Sequence, residues 1–210
     1  MACAICEVRR PRRYCPGVRG DICSICCGTE REVTVDCPLD CAYLQEARLH
    51  EKPVELDPAT IPHQDIQVPE RFLTENQALL LFIAQTLGRA ALETPGGTDH
   101  DVREALDGLI RTYRTLQSGV YYESRPANPL ANHIFSRVQE QAAAFRESER
   151  KELGMSKTRD ADILGMLVFF QRLEYDRNNG RRRGRAFIDF LRREFGESAP
   201  APAAPSLIVP

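Results

Sequence analysis

No apolar run in this chain approaches the roughly 20 residues that cross a bilayer; the longest extends only from Ala78 to Ala84. No charge of one sign dominates either. The 28 Lys and Arg are offset by 30 Asp and Glu, and a net charge of −2 gives no global attraction to nucleic acid or anionic membrane. Catalytic signatures are missing: there is no His-Glu-x-x-His, no Gly-x-Ser-x-Gly and no phosphate-cradling glycine loop. The chain opens Met-Ala-Cys with neither a basic segment nor an apolar stretch, so a cytoplasmic protein that does not engage membranes is expected. Finally, no cysteine follows Cys41, the last of eight.

Those eight are spaced as Cys3-x2-Cys6-x8-Cys15-x7-Cys23-x2-Cys26-Cys27-x9-Cys37-x3-Cys41. Thiolates two residues apart across a tight turn both reach one ion at about 2.3 Å, and eight thiolates divide into two tetrahedral sites. Disulfides are the competing expectation, but a chain built on bridges would not confine them to its first fifth. Two Zn2+ ions are therefore expected as structural cofactors. Two partitions are open. In the interleaved one, Cys3, Cys6, Cys23 and Cys26 share one ion while Cys15, Cys27, Cys37 and Cys41 share the other. This ranks above a sequential grouping of Cys3, Cys6, Cys15 and Cys23, which uses a single Cys-x2-Cys hairpin. His50 is a candidate replacement for one thiolate. A segment of this size buries too little apolar surface to stand alone, and about 10–16 kcal/mol per structural zinc would supply the difference.

The phrases Cys3-Ala-Ile-Cys6, Arg13-Tyr14-Cys15-Pro16 and Ile22-Cys23-Ser24-Ile25-Cys26 resemble the opening of HIT-type and MYND-type zinc fingers. That likeness covers residues 3–41. It implies interleaved ligation of two zinc ions and a role as a protein-binding adaptor. Two departures stand out: Gly17-Val18 occupies the place of a further cysteine, and Cys37 to Cys41 closes the motif without a histidine. The Cys-Cys-Gly and Cys-Pro-Leu-Asp-Cys phrases are similar to bacterial proteins with an N-terminal zinc finger and a helical remainder. This second likeness implies an architecture and no activity.

At 210 residues and 42% hydrophobic, the chain accommodates one moderate domain beside a small module. The expected organisation is a Cys-rich module over 1–50, a Pro-rich linker or strap over 51–69, a helical bundle over 70–196 and a disordered Ala/Pro tail over 197–210. The tail ends in an apolar tip, Ser206 to Pro210. Glu32 to Asp36 alternates like a short strand, and glycines near the ligands are expected to supply positive φ. Ala42 to His50 suggests a short helix. In the strap, Ile61, Ile66 and Val68 are placed to pack on the next domain.

Beyond Arg71 the apolar period becomes helical. Thr74 to Gln77 reads as a capping box for a helix to about Leu92, apolar over most of its circumference and therefore expected to be the most buried. Thr98 caps a second helix with a stripe from Val102 to Leu116. Asn128-Pro129 starts a third and Thr158 a fourth. A fifth runs from about Arg183 to Phe195. The fold class expected is mainly α: a two-zinc module followed by an all-α bundle of about five helices.

No catalytic constellation emerges. His100 and His133 sit in first turns, where polar residues usually cap. Glu147, Glu149 and Glu152 alternate with Arg146, Arg150 and Lys151 as on a solvated face. Two arginine groups, Arg9, Arg10, Arg12 and Arg13, then Arg181, Arg182, Arg183 and Arg185, are candidate polyanion contacts. Alternatively, the second group docks on the acidic region of residues 21–60. The function expected is a non-enzymatic adaptor or regulator whose partner is another protein; the alternative is a nucleic-acid-binding regulator.

Overall fold

The computed structural model describes residues 2–51 and 57–196; the expected tail and its apolar tip lie outside these residues. The module opens with a turn at Cys3–Arg9, closed by Glu7 N–H donating to Cys3 O at 2.8 Å and Cys3 N–H to Arg9 O at 2.9 Å. Strand β1 (Arg13–Cys15) then pairs antiparallel with β2 (Gly20–Ile22). Helix α1 (Ser24–Thr29) follows directly, and α2 (Ala42–Leu49) starts at Cys41. Gly17, in the hairpin turn, is required for close approach rather than for its dihedral freedom: a Cβ there would lie 2.5 Å from Asp36 O. The left-handed residues of the module are Glu7, Arg19 and Glu32 instead. The strand expected over Glu32 to Asp36 is a turn. Val33, Thr34 and Val35 N–H all converge on Glu30 O, leaving a single bridge between Arg31 and Val35.

The bundle comprises α3 (Glu70–Glu75), α4 (Gln77–Leu92), α5 (Asp99–Gln117), α6 (Pro129–Leu153), α7 (Asp160–Arg177) and α8 (Ala186–Phe195). The chain is mainly α, as expected. Helix α5 lies against α6 and α7, and α4 against α6 and α8. Several boundaries differ from expectation. Thr74 caps nothing: its hydroxyl donates to Glu70 O within α3, and the chain breaks at Asn76 before α4. The α7 helix starts two residues after Thr158, and α8 at Ala186. The most buried helices are α5 and α7 rather than α4, on which Leu81 is exposed. Helix α7 buries Ile163, Leu164, Met166, Leu167, Val168 and Phe170 in near succession, so it has no solvent side along this stretch. The caps read at Thr98 and Asn128 are present: Asp101 Oδ2 accepts from Thr98 N–H at 2.8 Å, and Asn128 Oδ1 from Leu130 N–H at 3.0 Å.

Module and bundle meet through both apolar and charged contacts. Leu39, inside the Cys37–Cys41 loop, is buried in the bundle core, and Ile66 and Val68 of the strap pack against the same core. Arg172 on α7 holds the strap by donating to the carbonyls of Pro62, His63 and Ile66. Arg48 on α2 donates to Glu32 at 2.8 Å and to Asp189 on α8. The side chains of these three are 6%, 1% and 0% exposed. Glu32 also accepts from Asn179 Nδ2 at 2.8 Å and Arg185 N–H at 3.1 Å, while its carbonyl takes Arg183 N–H at 2.8 Å.

Candidate metal centre

The hairpin explains why four distant sulfurs gather. Ala4 N–H donates to Asp21 O at 2.9 Å, laying the first turn on β2, and β2 leads straight into Cys23. Cys23 is the N-cap of α1, so Cys26 lies one turn in and on the same side. Cys23 N–H donates to Cys3 Sγ at 3.2 Å and Cys26 N–H to Cys23 Sγ at 3.4 Å. The Sγ atoms of Cys3, Cys6, Cys23 and Cys26 all lie within 4.8 Å of one another, three of the four residues being buried. Tetrahedral zinc–thiolate geometry has edges of about 3.8 Å, within that limit, so this cage could hold a metal ion. It is the first set of the interleaved partition.

The environment of the cage is polarised. Desolvation pushes the Cys3 thiol up, but the backbone amides of Cys6, Cys23 and Ile5 outweigh it and bring it down to about 6. The amides of Arg9 and Val8 lower Cys6. Cys26 is pushed up to about 12, first by desolvation and then by the surrounding thiols. Crowding of negative charge is what a cation at the centre would relieve. A hydrogen bond to Cys23 and the charge of Cys6 hold the Arg9 proton more firmly than usual.

The remaining four cysteines are carried on separate elements and are not gathered in the same way. Cys15 ends β1, Cys27 follows Cys26 in α1, and Cys41 is the N-cap of α2. Burial raises Cys37; the Glu32 amide opposes this, and the charges of Glu32, Cys15 and Cys41 reinforce it. Cys27 Sγ accepts from Arg13 NH1 at 3.7 Å and Arg31 NH2 at 3.8 Å. Among the described residues, the first set is the one group of three or more ligating side chains whose ligand atoms all fall within 4.8 Å. All eight cysteines are free thiols. His50 turns away from the sulfurs: its ring is exposed, 3.4 Å from Glu46 Oε1.

The second arginine group is divided between inward and outward side chains. Arg181 donates to Arg31 O at 2.7 Å, and the Arg183 and Arg185 backbones bind Glu32. Arg182 and Arg183 keep exposed side chains, as do Arg10 and Arg12. Arg13 lies over the Tyr43 ring, 3.9 Å from its centroid. Glu149 is not a purely solvated residue: it accepts from Thr158 N–H at 3.0 Å and Ser156 Oγ at 3.1 Å, bracing the turn into α7.

Two buried carboxyls have raised pKa values. Burial moves Asp99 up to about 7 against the opposing Phe187 and Ile188 amides, which it accepts at the start of α8. Burial likewise raises Glu174, which Arg103 grips with two hydrogen bonds of 2.7 and 2.9 Å. Both carboxyls therefore already have structural partners. His100 and His133 are exposed. Glu32 and Arg48 were not evident from sequence. The only signal available was an acidic residue inside a ligand-bearing loop and an arginine on a short helix. Comparison with known protein families, curated proteins and solved structures finds no match for this chain. Among the described residues, no helix is long and apolar enough to cross a membrane.

Proposed function

We propose that this chain is a zinc-stabilised protein-interaction adaptor or regulator that catalyses no reaction. Its eight cysteines hold two structural zinc ions: Cys3, Cys6, Cys23 and Cys26 on one, and Cys15, Cys27, Cys37 and Cys41 on the other. The observation that carries this reading is the gathering of four thiol sulfurs within 4.8 Å of one another. Four protein ligands saturate tetrahedral zinc, leaving no position for a substrate or an activated water. The ion thereby acts as a fastener, and the surface it makes rigid is offered to another protein. A cytoplasmic setting suits eight reduced thiols.

Metal analysis of purified protein should return two equivalents of zinc per chain; one or none would reject the two-ion part. For the adaptor, loaded protein is compared as bait with a Cys23→Ser variant. The same partner retained only by the loaded form supports the reading, and no specific partner for either rejects it.

A nucleic-acid-binding regulator is the second reading, favoured by the exposed side chains of Arg10, Arg12, Arg182 and Arg183. It requires affinity that falls steeply with salt, each lost phosphate contact reducing the log–log slope by about 0.9. An Arg182→Ala/Arg183→Ala variant that binds nucleic acid as the parent does would end it.

A further inference from the structure

We infer that the seam between module and bundle holds a binding site for a small phosphate monoester, and that the bound molecule ties the two regions together. The seam forms a cavity of about 580 Å³, within the range of small-molecule sites. One wall belongs to the module: Arg48 on α2 and Glu51 just beyond it. The other belongs to the bundle, with Arg177 at the end of α7, Arg181 in the connection to α8 and Arg193 on α8. Four arginines thus line the cavity with two carboxylates, Glu51 and Asp176, and the excess positive charge suits an anion. The site requires a docked module, whatever the number of metal ions it holds.

The arginines of the wall play two parts. Arg48 commits both terminal amino groups to Glu32 and Asp189, so it is a fixed part of the frame. Its Nε, on a side chain only 6% exposed, is buried with no hydrogen-bond partner among the described residues. Glu51 Oε1 is likewise buried without a hydrogen bond, Arg181 NH2 standing 3.7 Å away. One orphaned donor and one orphaned acceptor on the same cavity suit a molecule that both accepts and donates. Arg177 and Arg193 are half-exposed and hold Asp176 and Asp189 through Nε, at 3.0 and 3.5 Å. Their terminal amino groups make no hydrogen bond among the described residues, and Arg177 lies over the Phe190 ring, 5.1 Å from its centroid. Planar forks of this kind match phosphate oxygens. A phosphate on Arg177 and Arg193 leaves a hydroxyl of the same molecule to donate to Glu51 Oε1, and a further oxygen to accept from Arg48 Nε. The ligand class is therefore a hydroxylated phosphate monoester. Because its contacts come from both walls, it binds only the docked arrangement and by linkage stabilises it.

The test uses the full chain as purified, in phosphate-free buffer, titrated calorimetrically with ribose 5-phosphate, inorganic phosphate and ribose. Ribose 5-phosphate should bind saturably, inorganic phosphate more weakly and ribose not at all. Arg177→Gln/Arg193→Gln should weaken ribose 5-phosphate about 10–100-fold, the range for lost hydrogen bonds to a charged group. Glu51→Ala should instead erase the preference for ribose 5-phosphate over inorganic phosphate, because it removes the acceptor of the hydroxyl. Saturating ribose 5-phosphate should also slow proteolysis within residues 2–51, which a ligand held by the bundle alone would not do. Circular dichroism verifies that the variants fold, and Arg177→Gln alone decides by the same criteria if the pair does not. Absence of saturable binding overturns the inference, as does unchanged affinity in the arginine variant or an undiminished preference in Glu51→Ala. Unchanged proteolysis overturns the bridging role. A short oligonucleotide bound in preference to ribose 5-phosphate, and weakened by the same arginine substitutions, assigns these arginines to nucleic acid and overturns the inference as well.

Discussion

The two ends of this molecule are held together by different physics. The buried cluster of the N-terminal module consists of Cys3, Cys15, Cys23 and Cys26 with Ile22 and Val35, against which Ile5 and Val18 pack half-buried. The bundle buries Phe135, Phe170 and Phe187 with a continuous set of aliphatic residues. Burial alone accounts for the second, at about 1.5–3 kcal/mol for each large apolar side chain. The first has too little such surface, and its sulfurs crowd like charge unless an ion sits among them. The difference teaches that one chain can keep two regions of unequal self-sufficiency, provided the weaker is fastened to the stronger.

The largest expected effect separates the two regions. Chelation, or Cys23→Ser, should abolish an ion contribution of about 10–16 kcal/mol, exposing residues 2–51 to limited proteolysis. Most of the far-ultraviolet helical signal should survive. Simultaneous collapse of that signal would break the comparison. A Phe170→Ala substitution should act in the opposite sense, costing the bundle about 3–5 kcal/mol in denaturant unfolding while metal content stays unchanged. The fastening is tested by Arg48→Met, which leaves Glu32 and Asp189 buried without their shared cation. A cost of about 3–5 kcal/mol is expected, with faster proteolysis of the module even when loaded. Leu39→Ala should remove about 2–5 kcal/mol from the bundle, although the residue belongs to the ligand-bearing segment. The smallest effect is expected for Asn128→Ala, about 1 kcal/mol, confined to the start of α6 and visible as faster amide exchange there.

The cage was legible because ligand spacing is a local property. Two residues between thiols define a turn whatever the rest of the chain does, and Cys3, Cys6, Cys23 and Cys26 meet as the interleaved partition requires. The caps at Thr98 and Asn128 were legible for the same reason. Thr74 was misread because a capping box states a local preference, and the pattern of Phe72 and Leu73 packing on the core starts a helix earlier. Val33 and Val35 suit a strand, yet the left-handed Glu32 turns the chain so that its carboxylate reaches Arg48. Long-range contacts of this kind leave no periodic trace. For Arg181 and Arg185 the sequence left two readings open, an outward polyanion contact and docking on residues 21–60; the partners found, Arg31 O and Glu32, lie in that second region, about 150 residues earlier in the chain.

Glu32 has one further consequence, for the order of assembly. The ribosome delivers the cysteines, Glu32 and Arg48 more than 100 residues ahead of Asn179, Arg185 and Asp189. A nascent chain that has already captured its metal still carries an acid–arginine pair missing half its partners. Domains generally fold as units from the amino terminus during synthesis. Here the opening segment is completed only by α8, about 140 residues later.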